Sequence, residues 1–317
     1  MRIKKNNLLF LLFTVLMLAS QFLLTEMRWG LVTFVSYLLC FGIGLLLLRK
    51  DETDFFDVLP YNKGLKPVTA LLTVALVFLM MPLVTALAYV GNLIGGDMMR
   101  LFYTSAADTG LAEKIFTIAV IPAVFEEMFF RGFFYAGFRR ARGVRFAMIL
   151  SAVLFGFYHC NIQQIIYAAL LGVLIGLLRE MTGSMWAGML YHFVNNLWAV
   201  IQVSVPEDSF FMKLPMEQLS FTDGAGRTVY TAAMILGCTA LAVWVLFAIA
   251  KREGRSGELK RFFRPEPAEG EEPPQKEKVF TATLIIGCVL LVLMTALITA
   301  ILLLVRVLPP ELLQTFG

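Results

Sequence analysis

The chain has 317 residues, of which 59% are hydrophobic and only 16% are charged. Soluble globular proteins carry about 25% charged residues, so this composition and the mean hydropathy of +0.77 exclude an ordinary soluble protein and indicate a membrane protein. The net charge is only +4, and we expect no nucleic-acid partner.

The apolar segments predict an all-α, polytopic transmembrane bundle of about eight to nine spans. The first segment follows a basic start and lacks a signal-peptidase pattern, so we expect it to remain as a span. The candidate spans are residues 7–25, 30–48, 68–93, 114–138, 146–159, 162–178, 184–204, 228–250 and 279–308.

Basic residues predict the orientation of the bundle in the cell membrane. If the spans alternate, most lysines and arginines fall on the side of the N-terminus, including those of 139–145 and 251–278. Loops rich in Lys and Arg stay in the cytoplasm, so we predict a multi-pass protein with a cytoplasmic N-terminus.

Three regions divide the chain. We predict a membrane-embedded core over residues 1–250, a cytoplasmic linker over 251–278, and an additional C-terminal transmembrane helix with a tail over 279–317. The linker is first basic and then rich in Pro and Glu, which is typical of a flexible, solvated segment.

The fourth span carries charges that a membrane helix does not tolerate without compensation. Glu126, Glu127 and Arg131 lie inside an apolar run, and a charge at mid-bilayer costs about 2.5–3.5 kcal/mol on insertion scales. Glu127 and Arg131 are four residues apart and can pair on one face of a helix. Glu126 is rotated by about 100° and faces elsewhere.

The two histidines of the chain, His159 and His192, also lie in apolar segments. Phe155 and Asn196 each share a helical face with one of them, at a spacing of four residues. The span before His159 is too short to cross the membrane fully. We therefore expect it to end inside the membrane, at the turn formed by residues 158–161. Polar backbone at that depth requires a buried or water-filled setting, which is a first indication of an intramembrane cavity.

These groups suit hydrolysis of an amide by water. A carboxylate and a neutral imidazole can hold a water molecule and take its proton, which fits Glu126 and His159. A second imidazole and a carboxamide can donate to the oxyanion that develops on an attacked carbonyl, which fits His192 and Asn196. A purely structural Glu127–Arg131 pair remains an open alternative to a direct catalytic role.

The same residues resemble a known family. Glu126-Glu127-x-x-x-Arg131, Phe155-x-x-x-His159 and His192-x-x-x-Asn196 are similar to the three motifs of the CPBP family, the type II CAAX-prenyl endopeptidases and bacteriocin-processing intramembrane proteases. The resemblance covers about residues 113–200. Within this range, residues 182–188 before His192 also resemble the third motif of the family.

The resemblance implies a helical intramembrane protease with a conical catalytic cavity. It implies that Glu126 and His159 activate water, that His192 and Asn196 form the oxyanion site, and that Glu127, Arg131 and Phe155 support them. We expect no cofactor. The alternative is zinc, for which Glu126, Glu127, His159 and His192 would be the ligands, although the chain has no HExxH motif.

The expected partners are the lipid bilayer and a membrane-associated or lipidated, CAAX-like peptide or protein substrate. Two other classes use the same buried groups. One is a transporter or proton-relay protein, which would favour internal repeats that this sequence does not show. The other is a non-catalytic immunity or scaffold protein of the same fold.

Overall fold

We describe a computed structural model of the chain over residues 2–22, 29–51, 53–98, 109–205, 209, 224–263 and 273–307. Helices dominate these ranges, and none of their residues forms a strand. The all-α prediction is therefore confirmed. In chain order the helices are α1 (Ile3–Phe22), α2 (Trp29–Lys50), α3 (Phe55–Val58), α4 (Pro67–Gly95), α5 (residues 111–142), α6 (Val144–Tyr158), α7 (Ile162–Thr182), α8 (Met185–Ser204), α9 (Ala225–Arg252), α10 (Ser256–Phe263) and α11 (Ala282–Val307).

Each predicted span coincides with one of these helices. Six helices, α1, α2, α4, α7, α9 and α11, are long and apolar enough to cross a membrane, and the shorter α6 is apolar as well. The chain is thus a multi-pass helical membrane protein. The count of eight to nine spans stays a prediction, because α5, α6 and α8 are not among the six helices that meet the length and hydropathy requirements.

The helix α5 is not regular. Two π-helical segments, Ile115–Val120 and Met128–Phe134, flank the α-helical segment Ile121–Glu127, and the ends are Leu111–Lys114 and Tyr135–Arg142. Such π-turns are rare and are often found at functional sites. They flank the segment that ends in Glu126 and Glu127.

Local sequence signals set the turns around α6, α7 and α8. Gly143, with φ of 85°, separates α5 from α6, and Asn161 caps α7 by accepting a hydrogen bond from the Gln164 N–H at 2.9 Å. Gly183 ends α7 in the left-handed conformation, and Ser184 caps α8. The turn at 158–161 therefore joins α6 to α7, and its depth in the membrane stays a prediction.

Glycines let α6 and α7 approach closely. A side chain at Gly172 would meet the Ala152 backbone at 2.8 Å, and one at Gly176 would meet Met148 at 3.0 Å. Small residues at such positions allow two helices to pack closely. The close approach brings α6, with His159 at its end, against the body of the bundle.

The predicted linker has secondary structure of its own. Ser256–Phe263 forms α10, residues 273–281 have no regular secondary structure, and 264–272 lie outside the described residues. Asn7 donates hydrogen bonds to the Val279 carbonyl at 2.7 Å and to Thr281 Oγ1 at 2.8 Å. The helix α11 then packs on α1, where Gly287 accommodates Phe10. The division into core, linker and added helix stays a prediction.

Candidate active site

A cavity of about 260 Å³ lies among α5, α6, α7 and α8, and Met98, beyond the end of α4, also lines it. Four predicted site residues, Glu126, His159, His192 and Asn196, line it together with Phe155. The remaining lining residues include polar amides and hydroxyls as well as aliphatic side chains: Met98, Thr117, Ile118, Pro122, Gln164, Tyr167, Ala168, Leu171, Ile175, Tyr191, Asn195 and Ala199. The cavity thus brings together residues that are far apart in sequence.

Glu126 presents one carboxylate oxygen to α2 and keeps the other available. The Tyr37 hydroxyl donates to Glu126 Oε1 at 2.8 Å, and since that hydroxyl has a single hydrogen, the Tyr158 hydroxyl donates to Tyr37 at 2.9 Å. Glu126 Oε2 is buried and accepts no hydrogen bond from any side chain or backbone group of the described ranges. A buried acceptor without a partner is costly, so this oxygen is suited to bind water or substrate.

Glu127 lies on the other side of the same helix and is fully buried. Its Oε1 accepts hydrogen bonds from Arg131 Nη1 at 3.1 Å and from His192 Nδ1 at 2.8 Å. A side chain at Gly188 would come within 3.4 Å of Glu127 Oε2 and 2.8 Å of Ile175, so this glycine allows α8 to lie against the carboxylate. The predicted Glu127–Arg131 pair is present, and it has a third member.

His192 lies between the two carboxylates. Glu127 is an acceptor in its pair with Arg131, so His192 Nδ1 carries the proton in their shared hydrogen bond. The other ring nitrogen, Nε2, is 3.8 Å from Glu126 Oε2. Nε2 can donate a hydrogen bond toward the cavity only if it carries a second proton. The sequence did not predict this shared contact.

His159 is held by its own helix. Its Nδ1 donates to the Phe155 carbonyl at 2.9 Å, which leaves Nε2 as a hydrogen-bond acceptor. The Phe155 ring packs edge-on against both imidazoles, with centroid distances of 5.0 Å to His159 and 5.7 Å to His192. The Arg131 guanidinium lies 4.2 Å from the centroid of the same ring. Phe155 therefore holds the two histidines and the arginine in place.

Asn196 is oriented by a proline in α5. Pro122 has no N–H, so the α-helical hydrogen bond to the Ile118 carbonyl cannot form. Asn196 Nδ2 donates to that carbonyl at 3.0 Å instead, and Asn195 Nδ2 donates to Asn196 Oδ1 at 3.2 Å. The carboxamide is thus fixed at both ends, and its NH₂ group keeps one hydrogen for another acceptor.

Comparison with known families identifies this part of the chain. Residues 108–198 match the family model described as Rce1-like, type II CAAX prenyl endopeptidase. This segment is similar to that family, and we call residues 108–198 the Rce1-like segment. The match contains every predicted site residue and confirms the resemblance seen in the three motifs. Neither the curated proteins nor the solved structures give a significant match to the chain.

The zinc alternative needs several ligands grouped around one ion, since a catalytic zinc takes three protein ligands. Within the described ranges no three His, Cys, Asp or Glu side chains are grouped in this way. In His159 and His192 only Nδ1 is bound, to a backbone carbonyl and to Glu127, so each ring keeps Nε2 as a nitrogen that could bind a metal. The absence of a cofactor and the zinc alternative both stay predictions.

Three residues at the site were not predicted from the sequence. Tyr37 comes from α2, outside the Rce1-like segment, and Tyr158 and Asn195 adjoin motif residues. Pro122, four residues after Ile118, is a sequence signal that a carbonyl in α5 needs another donor. Tyr37 had no such signal, because one tyrosine in an apolar helix does not show which helix it faces.

Proposed function

We propose that the protein is an intramembrane endopeptidase that hydrolyses a peptide bond of a membrane-associated or lipidated, CAAX-like substrate without a covalent intermediate. The observation that carries the proposal is the shared cavity. Glu126, His159 and Asn196 line one cavity of about 260 Å³ together with apolar and amide side chains. Glu126 Oε2 accepts no hydrogen bond from the described groups. The match of residues 108–198 to a peptidase family model supports the same reaction class.

Each group has a role in this mechanism. Glu126 and His159 would hold the attacking water between them, and Glu126 would take its proton as the general base. The remaining amide hydrogen of Asn196, together with a protonated His192 Nε2, would bind the oxyanion. Glu127 would orient His192 through Nδ1 while it neutralises Arg131. Expulsion of the amine would then require return of the proton to the leaving nitrogen.

Peptide cleavage by purified protein tests the proposal. We would incubate the detergent-solubilised or nanodisc-reconstituted protein with a farnesylated peptide that ends in a CAAX sequence and with its non-lipidated counterpart, and analyse products by mass spectrometry. Glu126→Ala and His159→Ala should abolish cleavage. Leu170→Ala, a packing residue that does not line the cavity, and Glu113→Gln, an exposed carboxylate on the same helix, should retain it.

Three outcomes would contradict the proposal or its details. Full activity of Glu126→Ala and His159→Ala would end it, and ion flux into liposomes that depends on Glu126 without any cleavage would favour the transporter alternative. A chelator should leave activity unchanged. Loss of activity that returns with added zinc would instead establish a metal-dependent mechanism.

A further inference from the structure

The turn between α6 and α7, residues 158–161, has an unusual backbone conformation, and we call it the His159 turn. Cys160, which directly follows His159, has φ of 54° and is buried. This left-handed conformation is unfavourable for residues with a Cβ atom, and glycine, or occasionally asparagine or aspartate, is the residue that adopts it. Such conformations persist only where the surrounding structure imposes them, and they cluster at functional sites. The contacts around Cys160 must therefore hold the turn in place.

One carboxamide connects the two helices of the turn. Asn161 is buried, and its Oδ1 accepts a hydrogen bond from the Gln164 N–H at 2.9 Å, which caps α7. Its Nδ2 donates to the His159 carbonyl at 2.9 Å and to Gln164 Oε1. Carbonyls at the end of a helix have no partner within it, and the His159 carbonyl is one of these. The cap uses only the oxygen of Asn161, so the hydrogen bond from Nδ2 to His159 is a contact that the cap does not require.

The start of α7 is fixed from outside by α4. A side chain at Gly91 would come within 2.6 Å of the Gln163 backbone, and one at Gly95 would come within 2.6 Å of the Ile162 side chain. The two helices therefore touch directly at the first turn of α7, immediately after Asn161. Because this segment cannot move toward α4, Asn161 provides a fixed point for the end of α6.

The His159 turn reaches both groups of the proposed water site. The Tyr158 hydroxyl donates to the hydroxyl of Tyr37, which in turn donates to Glu126. The next residue in the turn is His159 itself. A displacement of the turn would therefore move the imidazole and, through the two hydroxyls, disturb the carboxylate at the same time.

We propose that Asn161 and the left-handed backbone at Cys160 position the His159 imidazole relative to Glu126, so that both can bind the same water molecule. Asn161 is a positioning residue, since it acts through the His159 carbonyl and does not line the cavity. This inference rests on the proposed function and adds two residues to its machinery. If Asn161 only capped α7, its loss would lower stability without changing the position of the imidazole.

Substitution of Asn161 separates the two roles. Asn161→Ser keeps a side-chain oxygen that can cap α7, since serine is about as good an N-cap as asparagine, but it removes the NH₂ group. A displacement of about 1 Å at an active site can lower the rate about 100-fold. We therefore expect kcat to fall by about 10- to 100-fold, while KM and the apparent melting temperature stay close to those of the unmodified protein. Asn161→Ala should lower both kcat and the melting temperature. The matched control is Leu170→Ala, which loses packing away from the turn and should lower only the melting temperature.

Substitution of Cys160 tests the backbone conformation. Cys160→Gly favours the left-handed conformation and Cys160→Ala removes only the thiol, so both should keep kcat close to that of the unmodified protein. Cys160→Val introduces a β-branched residue, for which a positive φ is a genuine outlier, and should lower kcat as Asn161→Ser does. Equal kcat in the glycine and valine variants would overturn the role of this backbone conformation, and so would a loss of kcat in Cys160→Ala.

The position of His159 can be observed without turnover, because the chain contains only two histidines. Protein with isotope-labelled histidine, purified through a tag without histidine and placed in nanodiscs, gives NMR signals from two imidazoles, and the His159→Gln variant assigns them. We expect Asn161→Ser to shift or broaden the ring signals of His159 and to leave those of His192 unchanged. Unchanged His159 signals, or changed signals with an unchanged kcat, would overturn the proposal.

The positioning role and the proposed function fail in different ways. Altered His159 signals in Asn161→Ser, in a protein that cleaves no peptide, would keep the positioning role and lose the proposed function. Peptide cleavage by the unmodified protein, with the same kcat and the same His159 signals in Asn161→Ser, would keep the function and lose the positioning role. A fall in kcat that Leu170→Ala shows to the same extent would make Asn161 a stabilising residue only.

Discussion

Two adjacent carboxylates in α5 lie in contrasting regions. The region of Glu127 is closed, since its side chain is fully buried and its Oε1 is shared by Arg131 and His192. The region of Glu126 is a cavity, which Glu126 lines and Glu127 does not. The second oxygen of each carboxylate has no donor among the described groups, but only that of Glu126 belongs to a residue of the cavity lining. An adjacent pair of the same residue type therefore divides into one carboxylate that stabilises packing and one that is available for chemistry. Helical rotation by one residue is sufficient to produce this difference.

His192 connects the two regions. Its Nδ1 is bonded to Glu127 Oε1 at 2.8 Å, and its Nε2 lies 3.8 Å from Glu126 Oε2. A histidine whose second nitrogen is held by a carboxylate has a fixed ring orientation and tautomer, as in other catalytic sites. A change in the packed region should therefore affect catalysis through His192, whereas a change in the cavity should leave packing intact. The predictions below separate these two effects.

Glu126→Gln should have the largest effect on activity. A general base contributes about 10²- to 10⁴-fold to rate, and glutamine keeps an acceptor for the Tyr37 hydroxyl. We expect kcat to fall by at least about 100-fold with little change in the apparent melting temperature in detergent. The matched Glu113→Gln variant should show neither change. A Glu126→Gln protein that melts much earlier would instead place Glu126 among the structural residues.

Glu127→Ala should have the largest effect on stability. It leaves Arg131 as an unpaired charge inside the bundle, and breaking a buried pair costs about 3–5 kcal/mol. The double variant Glu127→Ala/Arg131→Met should recover much of this stability, since methionine removes the buried charge. Activity should remain low in the double variant, because His192 Nδ1 has still lost its acceptor. Unfolding in mixed micelles and cleavage assays measure the two quantities.

Recovery of both stability and activity in the Glu127→Ala/Arg131→Met variant would contradict the link through His192. It would show that Glu127 serves only to neutralise Arg131. Loss of stability without recovery would show that the methionine does not replace the packing of the guanidinium on the Phe155 ring, where the cation lies 4.2 Å from the centroid. The control is the single variant Arg131→Lys, in which Glu127 is unchanged. It keeps the charge pair and removes the planar guanidinium group.

Asn196→Ala should reduce kcat without destabilising the fold strongly. Loss of one oxyanion donor costs about 10²- to 10³-fold, and we expect the lower end because His192 remains. Asn195→Ala should cost only a few-fold, since it removes the hydrogen bond that orients the Asn196 carboxamide and not the donor itself. Equal effects of the two substitutions on kcat would show that Asn195 also contacts substrate. Steady-state cleavage at saturating peptide measures both.

Much of the fold could be predicted from the sequence, because hydropathy and helical phase act locally. The nine apolar segments, the Glu127–Arg131 pair and the Asn161 cap all depend on residues close in sequence. The contact of His192 with Glu127 and that of Tyr37 with Glu126 depend on how three helices pack, which phase alone does not specify. The helix α10 was predicted as linker because its charged residues dominate, although Leu259 and Phe262 pack inward.

Tyr37→Phe should have the smallest effect and tests the least expected contact. The substitution removes only the hydroxyl that donates to Glu126 Oε1, and a hydrogen bond of this kind contributes about 0.5–3 kcal/mol. We expect kcat to fall by about 3- to 10-fold while KM stays unchanged, because Tyr37 does not line the cavity and orients the base from behind. Tyr158→Phe should have a weaker effect, since Tyr158 acts on Glu126 only through Tyr37. A rise in KM with unchanged kcat would contradict this role and show that Tyr37 affects peptide binding instead.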